Sequence, residues 1–174
     1  MAVASPSSSD AFGLLGLPAQ FDLDPQVIER AFFERTKELH PDRFATAPVA
    51  ERVAVLSRSR ALNDAYQTLK KPVPRAEYLL VRAGVAIGDN ERLDPAFLME
   101  ILELREELGE ARVAKRLPEI ERLRGIMAVR RDAAVGALPA LFERDDLPAI
   151  KEQLILLRYL DRYLEECDGA LDAD

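Results

Sequence analysis

The chain has 174 residues, 48% of them apolar and 32% charged, with one His, one Cys and no Trp; that length holds one or two small domains with a real core. A net charge of −7 argues against general nucleic-acid binding. The single Cys167 excludes an internal disulfide or a multi-thiolate metal or iron–sulfur site within one chain, and no apolar run approaches the roughly 20 residues that span a bilayer.

The composition favours helix, and the pattern predicts an all-α chain. Residues 1–9 are small and Ser-rich, without a basic start or an apolar segment, and read as a disordered leader. A short helix is predicted from Asp10 to Leu15, ended by Gly16-Leu17-Pro18. Asp24 as N-cap and Pro25 at the first position open a stronger helix. Ile28, Phe32 and Leu39 fall on one side of it, with Ala31 and Arg35 beside them. It should stop near Leu39, because Pro41 disfavours helical geometry at His40. A long helix is predicted from Pro48 to about Lys70, with Val55, Ser59, Leu62, Ala65, Tyr66 and Leu69 as its buried stripe. The two long helices form an antiparallel hairpin. Lys71-Pro72-Val73-Pro74 breaks the pattern, and Arg75 to Ala83 is one more short amphipathic helix, stopped by Gly84.

Residues 84–93 read as a linker. Asp94-Pro95 repeats the cap-and-proline start, for a helix to about Gly109. From Leu117-Pro118 the residues Ile120, Leu123, Met127, Ala134, Leu138 and Leu141 keep one stripe, with Pro139 set to kink or end the helix. Asp146-Leu147-Pro148 opens a last helix with Ile150, Leu154, Leu157 and Leu164 as its core stripe, ending near Cys167-Asp168-Gly169. The C-terminal half is therefore predicted as a three-helix bundle, residues 94–174. Charge is uneven between the halves: residues 1–83 carry 11 Lys/Arg against 10 Asp/Glu, and residues 84–174 carry 13 against 21. Such asymmetry suits halves that face different partners.

His40-Pro41-Asp42 holds the only histidine. Imidazole suits acid–base chemistry near neutral pH, but no nucleophile motif or phosphate-cradling loop accompanies it. No enzyme activity and no metal or other cofactor is expected. The turn instead presents an imidazole and a carboxylate at the tip of a helical hairpin. This tripeptide after an amphipathic helix, followed by Leu62-Asn63-Asp64-Ala65-Tyr66-Gln67-Thr68-Leu69, resembles the J-domain. The resemblance implies stimulation of a DnaK-class ATPase through His40, Pro41 and Asp42. It also implies a basic face on the preceding helix, for which Arg30, Arg35, Lys37 and Arg43 are available. Glu29, Glu34 and Glu38 interrupt that face, which points to a dedicated chaperone.

The helix from Asp94 is apolar on two sides. At about 100° per residue, Phe97, Ile101, Leu104 and Leu108 cluster toward the bundle, while Leu98, Met99 and Leu102 point broadly the other way. Such a patch marks a partner, unless both faces are buried, one of them against the N-terminal half. Ile155, Tyr159 and Tyr163 lie off the last helix's stripe and extend the patch if the two helices pack side by side.

Three stretches are similar to the HscB family, the J-type co-chaperones of iron–sulfur cluster biogenesis: Phe21-Asp22-Leu23-Asp24, Arg75-Ala76-Glu77-Tyr78-Leu79-Leu80, and Phe97-Leu98-Met99-Glu100 with Leu102-Glu103-Leu104-Arg105-Glu106-Glu107-Leu108. The resemblance implies an L-shaped protein. Its J-domain, residues 10–83, meets an HscA-type ATPase. Its three-helix bundle binds an IscU-type scaffold through Leu98, Met99, Leu102, Glu103, Arg105, Glu106 and Tyr159. Some members of that family carry an N-terminal Cys-rich metal module that is missing here, so no zinc is expected; a cytoplasmic protein without nucleic-acid or membrane partners is expected from the charge, the single Cys and the lack of a long apolar run. The alternative is a general J-domain co-chaperone for protein folding.

Overall fold

The computed structural model describes residues 10–88, 91 and 94–173. The leader expected at residues 1–9 lies outside these, as do Asp89, Asn90, Arg92 and Leu93 of the expected linker. Every regular element among the described residues is helical. The contacts divide the chain into two units, Met1–Ala83 and Gly84–Asp174.

In the first unit, Asp10 caps α1 (Ala11–Leu15) by accepting from the Gly13 N–H at 2.8 Å. Gly16 ends it at φ +70°, with the Leu17 N–H closing back onto the Phe12 carbonyl, a left-handed stop that suits glycine. Asp24 caps α2 (Pro25–Glu38), and Pro25 takes the first position, where its missing N–H costs nothing. α3 (Val49–Leu69) returns and buries Val55, Leu62, Ala65 and Leu69. Phe12, Leu15, Ile28, Leu62, Ala65 and Leu69 form the core, and Phe32 stacks on Tyr66 with ring centroids 4.2 Å apart.

α4 (Pro72–Arg82) begins three residues before the expected Arg75. Pro72 and Pro74 fall in its first turn, where backbone N–H groups have no intrahelical partner anyway, so they start the helix and do not break the pattern. α4 clasps α1: the Ala11 N–H donates to Tyr78 Oη at 2.9 Å, and Arg82 meets Asp10 at 3.3 Å. Arg75 is buried, donates to the orphan Leu69 carbonyl at the end of α3 (3.0 Å) and lies over the Phe21 ring. Burial lowers its pKa, partly offset by Asp22.

The second unit contains α5 (Pro95–Val113), α6 (Leu117–Glu143) and α7 (Leu147–Leu171). Its core includes Ile101, Leu108, Ile120, Leu123, Met127, Leu138, Ile150, Leu154, Leu157 and Leu160. Two helices outrun their expected ends, α5 passing Gly109 and α7 passing Gly169. Pro139 neither ends α6 nor prevents its last turn. The real stops after α5 and α6 are Lys115 and Asp145, at φ +52° and +53°. At both, a six-residue backbone bond (Arg116 N–H to Ala111, Asp146 N–H to Leu141) closes the helix end, so side chains seldom seen in this region do the work of glycine.

Cys167 is fully buried within α7. Burial, reinforced by Asp168 and Glu166, pushes its thiol up to about 11. An unfolded thiol ionises at about 8.5, so its contribution to folding stability is whole below that pH and is lost as pH climbs through 11. At about pH 8 iodoacetamide should label Cys167 only in denaturant. Rapid labelling of the folded chain would contradict this burial.

Candidate functional site

Each unit presents one candidate surface. In the first, Pro41 holds His40 in an extended conformation (φ −64°, ψ 131°), and residues Pro41–Phe44 form a single 3-10 turn. His40 Nδ1 accepts from the Asp42 N–H at 3.3 Å and lies 3.6 Å from the Asp42 carboxylate. In the neutral ring that arrangement leaves Nε2 carrying the proton. The His40 side chain is 54% exposed and that of Asp42 90% exposed, so the turn displays both groups on a backbone stiffened by its own hydrogen bonds.

Arg43 donates to the Lys37 carbonyl at 3.3 Å, a cation at the negative end of α2. Arg30 and Lys37 are exposed and seven residues apart, on one side of the helix, with Phe33, 54% exposed, between them. Arg35 belongs elsewhere. It pairs with Glu38 at 3.2 Å, and its guanidinium leans on Gly16. Of the expected basic residues, Arg43 lies in the turn itself, Lys37 at the end of α2 next to it and Arg30 about two turns further back on the same exposed side.

In the second unit α5 divides as its sequence predicts. Ile101 and Leu108 are buried, whereas Met99 and Leu102 are 58% and 54% exposed. Leu98 is half-buried, and Glu103 and Glu106 are exposed. Leu98, Leu102 and Arg105 follow the i, i+4, i+7 spacing of one helix side. At the end of that side Arg105 reaches α7, making two bonds to Glu166, at 3.1 and 2.8 Å. Tyr159 is half-buried, its ring edge-on to Phe97 with centroids 6.1 Å apart. α5 is tied to α6 through Glu107–Arg122 and Glu100–Arg130.

Two residues expected to extend the patch do not. Tyr163 is fully buried and donates its hydroxyl to the Leu104 carbonyl at 2.9 Å, and Ile155 is buried as well. Tyr163 is off the α7 stripe only when that helix is taken alone; α5 lies against it and turns a second side of α7 into core. Desolvation raises the Tyr163 pKa, so the phenol stays a neutral donor. Conversely, α5 carries Glu110 and Val113 beyond its expected end at Gly109. Glu103, Glu106 and Glu110 form one exposed acidic stripe, and Val113 is 88% exposed at the end of the same surface. The i, i+3, i+7 spacing of these glutamates was the available signal.

Residues 93–168 match the family model described as the HSCB C-terminal oligomerisation domain. The chain is 37% identical over 167 residues to a co-chaperone protein HscB homolog from Azoarcus sp. strain BH72, covering 94% of each. Among solved structures it is similar to chaperone HscB from Vibrio cholerae, at TM-score 0.79 and 34% identity over 94% of this chain and 98% of that one. It is also similar to human co-chaperone protein HscB, at TM-score 0.84 and 27% identity over 95% and 84%. An N-terminal helical hairpin with a His-Pro-Asp turn and a C-terminal helical domain complete the correspondence, and the chain belongs to the HscB family of J-domain co-chaperones.

Proposed function

We propose that the chain is a two-ended adaptor without chemistry of its own, working in iron–sulfur cluster assembly. Residues 10–83 act as the J-domain and 94–174 as the scaffold-binding domain, with 84–93 as the connection. His40, Pro41 and Asp42, with Arg30, Lys37 and Arg43, stimulate ATP hydrolysis by a dedicated DnaK-class chaperone of HscA type. Leu98, Met99, Leu102, Glu103, Glu106 and Tyr159 hold a cluster scaffold of IscU type. Arg105 serves the same surface, and its bond to Glu166 supports a positioning role. A buried free thiol suits a reducing compartment, and we place the protein in the cytoplasm. Among the described residues no helix is long and apolar enough to cross a membrane.

The observation that carries this reading is the exposed Met99–Leu102 face on a helix whose opposite side is already satisfied by Ile101 and Leu108. Holding chaperone and scaffold on one chain raises their effective concentration for each other. ATP hydrolysis by the purified chaperone should therefore rise more with chain and scaffold together than the sum of their separate effects. A merely additive response would overturn the adaptor.

A further inference from the structure

We propose that a recess beside Tyr159 takes a carboxylate side chain of the protein that covers the Leu98–Met99–Leu102 face. The inference rests on the scaffold-binding reading of that face and adds to it a point of charge recognition. The recess, of about 350 Å³, is walled by Ile87, Ile155 and Tyr159 and rimmed by Glu91, Arg158 and Arg162. Ile155, Tyr159 and Arg162 follow the i, i+4, i+7 spacing of one side of α7. Tyr159 also packs edge-on against Phe97 of α5, and Glu166, one turn after Arg162 on α7, holds Arg105 on the same side of α5 as Leu98 and Leu102, so the recess adjoins that face along α7.

Among the described residues the charge around the recess is not balanced. Glu91 is held by Lys151 at 2.6 Å and accepts from the Gly88 N–H at 3.4 Å. Both bonds keep its carboxyl below the usual carboxylate range. Asp161 is matched by Arg131, and Glu166 by Arg105. Arg162 is exposed and makes no ion pair among the described residues, although Glu165 stands three positions on. One guanidinium at the mouth of a partly apolar recess is thus unmatched, and a carboxylate on a short apolar stem complements both features.

The other edge of the face has the opposite sign. Glu103, Glu106 and Glu110 are exposed on the part of α5 turned away from Arg105. Met99 stands among these glutamates, whereas Leu98 and Leu102 lie nearer Arg105; a face with opposite charge on its two sides fixes the orientation of what docks there, because a reversed partner would set like charges against each other.

The test is titration calorimetry of the full chain against purified IscU-type scaffold. Arg162→Glu should weaken binding about tenfold and Arg162→Gln by less, with the circular dichroism spectrum unchanged and the salt dependence of affinity reduced. Lys at one acidic scaffold position should restore affinity to the Arg162→Glu chain. If the Leu98, Met99 and Leu102 variants lose binding while Arg162→Glu binds within about twofold of the unsubstituted chain, the recess proposal fails alone. If Arg162→Glu impairs ATPase stimulation but not scaffold binding, the recess serves the chaperone and the proposal also fails. If the unsubstituted chain binds no scaffold, the reading of the α5 face falls, and this inference with it.

Discussion

Asp42→Ala, and separately His40→Gln, should abolish stimulation of the chaperone ATPase while leaving the fold intact. Both side chains project into solvent, and neither contributes to the core. What shapes the turn is Pro41, the Arg43 N–H to His40 carbonyl bond at 3.0 Å and the packing of the hairpin behind it. Removing the Asp42 carboxylate spares the backbone N–H that His40 accepts from. Stability should then change by no more than about 0.5 kcal/mol, as for ordinary surface substitutions. A central charged contact on a partner typically carries at least about 2 kcal/mol, so stimulation should drop by a factor of about 30 or more. His40→Gln keeps a hydrogen-bonding side chain but loses the ring, and it should fail comparably if the ring itself is recognised. Steady-state ATP hydrolysis together with thermal melting checks this. Normal stimulation by well-folded variants would remove the turn from the mechanism.

Leu98→Ala, Met99→Ala and Leu102→Ala combined should weaken scaffold binding by several kcal/mol, about 1–2 kcal/mol for each anchor. Calorimetry would register this as a loss of at least a hundredfold, since each factor of ten is about 1.4 kcal/mol. Met99 and Leu102 are more than half exposed, so their truncation costs the free protein little. Leu98 is half-buried, and its loss should lower stability modestly, well short of the roughly 2–5 kcal/mol of a fully buried leucine. Val129→Ala makes a fitting control, because Val129 is 71% exposed on α6, outside this face. Scaffold affinity unaltered in the triple variant would assign the face another purpose. Unfolding of the triple variant would show that these residues support the bundle.

Much of this architecture is local and was therefore legible. Asp10, Asp24, Asp94 and Asp146 each accept a bond from a backbone N–H two or three residues on. A helix start is decided within about four residues, and the sequence displays all of them. The stripe Val55, Leu62, Ala65 and Leu69, and the division of α5 into Ile101 and Leu108 against Met99 and Leu102, are periodic and were equally plain. So was the exposed turn, since proline sets its geometry without help from distant residues.

Helix ends and second faces were not legible. α5 and α6 stop where Lys115 and Asp145 adopt positive φ, with no glycine to announce it. Tyr163 reads as surface on an isolated helix, yet it is core because α5 lies over it and offers the Leu104 carbonyl. Arg105 reads as a free contact residue, yet Glu166, 61 positions away, engages it. Arg162 is conspicuous only once the neighbouring acids are seen to be matched by other cations. The sequence by itself determined which segments are helical, which turn is displayed and which apolar residues exceed the needs of one core. The tertiary structure decided which of those residues stay exposed and which charges remain unmatched. Burial and pairing depend on side chains brought together from distant positions, and local pattern carries no information about them.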